Sequence, residues 1–238
     1  MQKRLWTKPA GFVFRRLCRS PNFRKRAIGV LYEFEFRTWC AAHPCEESPG
    51  RLDLFRSIAD REGLHGPIDF IEFGVFRGES IRWWAENNRH PESTFVGFDC
   101  FEGLPEDWDS LPKGTFSVAG AVPDIPDPRC RFVKGLFQHT LVDWLEGRRF
   151  TRQVVLHLDA DLYSSTLFVL VNLLPRLRKG DLLIFDEFVG YFHEFRAFLD
   201  ATTAFMQQDT DGNYRFRVVE RFALRLKDTS AVVRLEFQ

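Results

Sequence analysis

Long apolar runs are missing from this 238-residue chain: the longest candidate, residues 167–174, is broken by Asn172. It falls well short of the roughly 18 apolar residues that a spanning helix needs, so no bilayer crossing is expected. Cysteine is scarce and unpaired in pattern. Cys18, Cys40, Cys45, Cys100 and Cys130 are odd in number, widely spaced and without a C-x-x-C pair, which disfavours a disulfide framework or a zinc site and fits a reducing compartment. Net charge is also lacking, with 33 bases against 33 acids, so neither a general polyanion binder nor a nucleic-acid partner is expected. There is no internal repeat and no low-complexity tract. The uninterrupted apolar segment of a secretory signal is absent from the start, and a cytoplasmic location is expected.

Apolar material, by contrast, is ample. Hydrophobic residues make up 45% of the chain and 26 residues are Phe, enough to build a globular core rather than a disordered or fibrous chain. The charge balance conceals a basic head: Lys3, Arg4, Lys8, Arg15, Arg16, Arg19, Arg24, Lys25 and Arg26 occur with no acid among them. Trp6, Phe12, Phe14 and Phe23 make the head aromatic as well, and Pro9, Gly11 and Pro21 divide it into short pieces. Residues 1–50 thus read as a basic aromatic arm or helical cap. It could pack on an acidic body, support a homo-oligomer, or contact a membrane surface.

From Arg51 onward the periods are legible. Leu52, Phe55, Ile58 and Ala59 recur at helical spacing, followed by a strand at residues 68–73 between His65-Gly66-Pro67 and Gly74. Further strands are expected at residues 94–99, 131–134, 154–159 and 181–186. Helices are expected at 78–88, 137–146, 163–174 and 192–207. Alternation of this kind implies a parallel sheet covered on both faces. Residues 214–226 and 231–237 read as two strands of an antiparallel hairpin. The fold class is therefore α/β, a Rossmann-like doubly wound, mostly parallel sheet with a C-terminal antiparallel hairpin, whose ligands belong beyond the carboxyl ends of the strands. The segment from Phe101 to Pro128 is the one long irregular loop, and such loops are usually functional or mobile.

Three places carry chemistry. The first strand runs into Glu72-Phe73-Gly74-Val75-Phe76-Arg77-Gly78-Glu79-Ser80, a glycine turn opening a helix without the G-x-G-x-x-G that lets a pyrophosphate approach. NAD and FAD are disfavoured. Glu72 could receive an ammonium group, and Asp99, closing the second strand, stands where doubly wound nucleotide sites place a ribose-binding acid. Ammonium, carboxylate and ribose together describe S-adenosylmethionine. The third place is Leu158-Asp159-Ala160-Asp161, followed 27 residues after Asp159 by Asp186-Glu187. If those strands are neighbours, one rim of the sheet holds several carboxylates suited to Mg²⁺ or Mn²⁺. The alternative is that Asp159 and Asp161 cap the following helix.

The segments IDFIEFGVFRGES, FVGFDCFEGLPEDW, FVKGLFQHTL, LHLDADLYSST and LLPRLRKGDLLIFDEF, in that order, resemble the class I S-adenosylmethionine-dependent methyltransferases of the macrocin O-methyltransferase family, which methylate sugar hydroxyls on macrolides. The resemblance spans residues 50–227 and implies a methyltransferase domain over residues 51–238. It implies that Glu72, Gly74, Val75, Gly78 and Ser80 hold the methionine end of the cofactor, that Asp99 and Phe101 lie at the ribose and adenine, and that Gly135, Phe137 and Gln138 border the adenine, with Asp159 also at the cofactor. Asp159, Asp186 and Glu187 would be the metal ligands. Where the family commonly has two Asp followed by Tyr, this chain has Asp186-Glu187-Phe188, a longer acidic arm and no phenol.

An aliphatic hydroxyl is a weak nucleophile until its proton is removed, so a base, a Lewis acid or both are needed. Candidate catalytic residues are Asp159, Asp161 and His193; His157, inside a strand, reads as core. Phe188, Tyr191 and Phe192 could face a sugar ring. The expected activity is a metal-assisted O-methyltransferase acting on a small-molecule acceptor, a hydroxyl of a sugar or related polyhydroxylated compound. Two rivals stand beside it: a glycosyltransferase using Asp159-Ala160-Asp161 as its D-x-D pair, and a non-catalytic scaffold of methyltransferase fold.

Overall fold

The computed structural model describes residues 16–17, 19–42, 48–188, 193–208, 217–218 and 231–236. The chain divides into two units, Met1–Ala42 and His43–Gln238. In the first, helix α1 spans Pro21–Ala42. Pro21, expected from sequence to interrupt the head, instead starts this helix. A missing N–H costs nothing at the first helical position, and the fixed φ of proline is already helical. The Phe23 N–H donates to Ser20 Oγ at 3.4 Å, and Arg37 binds Glu33 one turn away at 2.7 Å. No described helix is long and apolar enough to cross a membrane.

In the second unit, helix α2 (Arg51–Arg61) precedes strand β1 (Ile68–Phe73), helix α3 (Glu79–Asn87) and strand β2 (Thr94–Asp99). Strand β3 (Cys130–Lys134), helix α4 (Phe137–Leu145), strand β4 (Gln153–Leu158), helix α5 (Tyr163–Leu173) and strand β5 (Leu182–Phe185) complete the alternation. Helix α6 (His193–Gln208) and strands β6 (Arg217–Val218) and β7 (Ala231–Glu236) follow. The sheet order is β3-β2-β1-β4-β5-β7-β6. The first five strands are parallel; β7 pairs antiparallel with β5, and β6 antiparallel with β7. The segment expected to join the two terminal strands lies outside the described residues.

All six residues of β1 are buried, as befits a central parallel strand with both faces covered, where alternation of polar and apolar side chains is lost. On one face Phe55 of α2 and Trp84 of α3 pack with Phe70 and His157. On the other, Phe73 stacks on Phe98 at 4.7 Å, and Phe137 and Trp144 of α4 meet them edge-on. Phe188 is fully buried among Phe185, Phe195 and Phe198. It is therefore core and not the sugar-facing ring suggested by sequence; Tyr191 and Phe192 lie outside the described residues.

Polar joints fix the loops that feed the sheet. Asn88 donates to the carbonyls of Leu64 and Gly66 and accepts from the Ser93 hydroxyl and the His90 N–H, spending all its capacity inside the protein. Arg129 donates to the carbonyls of Ala85, Asn88 and His90 at the carboxyl end of α3 and is held by Asp127, where a cation also opposes the negative end of the helix dipole. Because β1 lies between β2 and β4, the winding direction reverses between β1 and β4. A crevice opens there, at the carboxyl ends of the strands.

Candidate functional site

The strand tips stay in register beyond the strands themselves. The Gly74 N–H donates to the Phe98 carbonyl, Asp159 N–H to Phe73, Asp186 N–H to Leu158 and Gly135 N–H to Asp99, all at 2.8–3.0 Å. Gly74 has φ +91°, and a Cβ there would lie 1.6 Å from the Asp159 carbonyl oxygen. Glycine at this point lets the β1 and β4 tips close on one another, and the crevice is built around that contact.

Above the tips lies a cavity of about 290 Å³. Gly74, Asp99, Gly135, Phe137, Gln138 and Asp159, all placed at the cofactor by the sequence, line it together with Asp161, Asp186 and Glu187. Glu72, Val75, Gly78, Ser80, Phe101 and His193 are not among its lining residues. Glu72 is 1% exposed and turned into a cross-strand pair with His157, Oε1 to Nδ1 at 2.9 Å. The two are register partners on adjacent strands and so share a face of the sheet. Burial pushes the Glu72 carboxyl up, against the pull of His157. His193 lies beside Trp108, with Nε2 at 4.0 Å from Asp109.

Asp99 is heavily used by backbone. One oxygen accepts the N–H groups of Val75 and Phe76 at 2.8 Å, and the other accepts Phe101 N–H at 2.7 Å. A carboxylate has about four lone-pair sites, so one acceptor position is left for a ligand hydroxyl while the acid also shapes the first turn. Val75 and Phe101 thus act through their backbone on Asp99. The irregular segment after β2 is a fastened wall: Leu104, Trp108 and Leu162 form a small core of their own, and Ser164 on α5 donates to Glu106 at 2.7 Å. Gly103, Leu104, Pro105 and Phe116 bring that segment to the cavity.

Acids dominate the rim formed by β4 and β5. Burial is the first cause that holds Asp159 well above the usual carboxylate range, followed by repulsion from Asp186 and Asp161. Asp161, at φ 58°, is hydrogen-bonded to Glu187. Burial and neighbouring acids push Asp161 up to about 7 and Glu187 up to about 8. The hydrogen-bonded pair holds a proton near neutrality. Glu194, fully buried at the start of α6, accepts the Glu187 N–H at 2.9 Å and is pushed well up by burial and by Asp186, Glu187 and Asp161.

Among the described residues, one guanidinium enters this rim. Arg51, the first residue of α2, places Nη1 3.5 Å from both Asp159 Oδ2 and Asp186 Oδ1. Burial opposes its charge, but Asp186 and Asp159 outweigh that, and its pKa is raised. Arg51 and Glu194 carried no signal in the sequence: a basic residue at a helix start and an acid in a first turn are ordinary, and only the folded chain brings either to the rim.

Raised carboxyl pKa values tie stability to pH. The folded state binds more protons than the unfolded one between the ordinary carboxylate range and about pH 8. The stabilisation is complete below the unfolded values and is lost as pH rises through 7 to 8. The protein without added metal is therefore expected to melt at a lower temperature at about pH 9 than at about pH 6, and Glu187→Gln should flatten that fall. An unchanged slope in the variant, read by calorimetry across the range, would show that the pair does not share a proton.

Residues 110–214 match the macrocin-O-methyltransferase (TylF) family. The chain is 28% identical over 239 residues to demethyldecarbamoylnovobiocin O-methyltransferase of Streptomyces niveus, covering 86% of this chain and 88% of the relative. It is 33% identical over 161 residues to 8-demethyl-8-(2,3-dimethoxy-α-L-rhamnosyl)-tetracenomycin-C 4′-O-methyltransferase of Streptomyces olivaceus, covering 58% and 60%. Among solved structures, the O-methyltransferase NovP superposes with TM-score 0.54 at 22% identity, covering 78% of this chain and 79% of its own. The calicheamicin methyltransferase CalS11 gives 0.53 at 21%, covering 97% and 94%; both likenesses establish the fold. These relations favour methyl transfer over glycosyl transfer and over a scaffold without activity. The family match falls within a class I fold, and the relations together identify the chain as an S-adenosylmethionine-dependent O-methyltransferase.

Proposed function

We propose that this enzyme methylates a hydroxyl of a sugar or related polyhydroxylated small molecule, with a divalent cation at the β4–β5 rim. The observation that carries the reading is the convergence of Asp159 and Asp186 on one cationic nitrogen at the cavity edge, beside the proton-sharing pair Asp161 and Glu187. The named activities of the Streptomyces relatives, one of them on a rhamnosyl group, support the acceptor class.

The donor set fits a hard cation. Asp159 and Asp186 are oxygen ligands of the right type, and one atom from each lies within 4.8 Å of the other and of a nitrogen of buried His157. Asp159 and Asp186 would hold the ion, with Glu187 as a third ligand once its hydrogen bond to Asp161 opens. A bound Mg²⁺ or Mn²⁺ would supply Lewis acidity to the acceptor oxygen.

The transfer is an in-line displacement: the acceptor oxygen forms a bond to the methyl carbon as the carbon–sulfur bond breaks, and the sulfonium becomes a neutral thioether. The acceptor proton needs a destination. Asp161 lines the cavity and titrates near neutrality, the range in which a general base works best, whereas His193 stands outside the lining. We assign the base to Asp161 and the cofactor's adenosyl part to the crevice bordered by Asp99, Gly135, Phe137 and Gln138.

Thermal unfolding with S-adenosylhomocysteine, with UDP plus Mn²⁺, with Mn²⁺ alone, and with none of these tests the cofactor. A ligand at 100 times its Kd adds about 2.7 kcal/mol, so a rise is expected with S-adenosylhomocysteine, while UDP should add nothing beyond the rise given by Mn²⁺ without nucleotide. A rise that requires UDP, with none from S-adenosylhomocysteine, would overturn the reading. Transfer of labelled methyl from S-adenosylmethionine to a panel of nucleotide sugars and glycosides, with and without EDTA, then tests acceptor class and metal. Labelling of simple phenols or amines added to the panel with none of any sugar hydroxyl, or full activity in EDTA, would overturn the corresponding part.

A further inference from the structure

Arg51 has no assigned task, although it is the one base among the described residues lining the cavity, which include the acids Asp99, Asp159, Asp161, Asp186 and Glu187. A cofactor with a sulfonium and an ammonium suits such a wall. Its carboxylate does not: the ionised acids of the rim repel it, and a cation placed among them offsets that repulsion.

Arg51 is so placed, and its present partners hold it loosely. The contacts to Asp159 and Asp186 are 3.5 Å and that to Glu79 is 3.9 Å, against about 2.7–2.9 Å for a close charge-assisted hydrogen bond. None of the three acids takes up the planar fork of the guanidinium with the paired short contacts that it forms with a well-placed carboxylate. Its side chain is 36% exposed and stands at the cavity on the first turn of α2, whose N-terminus is set by the Leu54 N–H to Gly50 carbonyl bond at 2.9 Å. The rest of α2 is anchored by the fully buried Leu54, Phe55 and Ile58, so the guanidinium is presented from a rigid base.

We infer that Arg51 binds the methionine carboxylate of S-adenosylmethionine, and that doing so draws it off Asp159 and Asp186 and leaves those two acids to a cation. Arg51 thereby links cofactor binding to the acid rim: before the cofactor arrives it neutralises the pair, and afterwards it neutralises the cofactor. The inference rests on S-adenosylmethionine being the cofactor.

Calorimetric titration tests it with two ligands, S-adenosylhomocysteine and its decarboxylated counterpart S-adenosyl-3-thiopropylamine, on the unchanged protein, Arg51→Gln and Arg51→Lys. A hydrogen-bonded charge is worth roughly 10- to 100-fold in affinity. Arg51→Gln is expected to lose about that factor for S-adenosylhomocysteine and to bind the decarboxylated ligand within about twofold of the unchanged protein, with Arg51→Lys in between because a point charge replaces a fork. Equal losses for both ligands would reduce Arg51 to a structural part of the rim and overturn the inference. An unchanged affinity for S-adenosylhomocysteine would also overturn it and assign the carboxylate to other donors. Failure of the unchanged protein to bind S-adenosylhomocysteine would instead remove the cofactor reading itself.

Discussion

Asp161→Asn is expected to keep the fold and the cofactor while lowering methyl transfer to the best acceptor of the panel by about 10²- to 10⁴-fold, the usual contribution of a positioned general base. Asparagine is suited to the test because the backbone at this position is left-handed, φ 58°, a conformation that Asn and Asp tolerate and most other residues do not. It also preserves hydrogen bonding to Glu187 while removing the titrating group. The pH dependence separates this role from a merely structural one. In the unchanged enzyme the base must be ionised, so the rate should rise with pH as Asp161, whose carboxyl burial pushes up in the metal-free protein, loses its proton, and then level. In the variant the residual rate should lose that limb. A limb of unchanged midpoint with only a small drop in rate would transfer the proton to another group, with Asp159 and His193 the next to be replaced.

Gly74→Ala should be the most damaging single methyl addition at the site. Two effects act together: φ +91° is a conformation that L side chains rarely adopt, and the added carbon would fall 1.6 Å from the oxygen and 2.6 Å from the carbon of the Asp159 carbonyl. Both atoms are backbone at the tip of a buried strand, so neither can swing aside as a long side chain would. Relief requires the β1 and β4 tips to separate, which strains the Asp159 N–H to Phe73 carbonyl bond and widens the crevice. A loss of about 3 kcal/mol or more is expected, along with loss of S-adenosylhomocysteine binding. Gly114→Ala is the internal comparison: its φ is +85° with nothing within 4 Å of the added carbon, so only the conformational penalty of about 1–2 kcal/mol should appear. Urea unfolding of the two variants reads the difference. Similar losses for both would mean that backbone conformation and not the β1–β4 contact governs Gly74.

The five parallel strands were legible because each is a short apolar run between turn residues. β1 and β2 occur at residues 68–73 and 94–99 as expected, and the others differ by a residue or so at their ends. Helix α1 was legible only as one of two readings of residues 1–50, an arm or a helical cap, without bounds. Its sequence carries charges around much of its circumference, and Pro21 reads as a breaker until it is seen at a helix start, where proline is favoured. The site was legible in part, through residues that close strands: Asp99, Asp159, Asp186 and Glu187 follow directly from where β2, β4 and β5 end, and all line the cavity. For Glu72, next to the tip of β1, the alternation of a strand points the side chain to the face shared with His157, with which it pairs at 2.9 Å.

Local order along the chain thus determined the elements, their alternation and the acids that terminate them, because turn chemistry and apolar periodicity act over a few residues. Which acids share a proton, which is buried in a pair and which cation stands among them depended on strand order and helix placement. Arg51 and Asp186 are 135 residues apart in sequence, and electrostatic neighbours of that kind are chosen by the sheet topology that puts β4 and β5 side by side and lays the start of α2 against their tips.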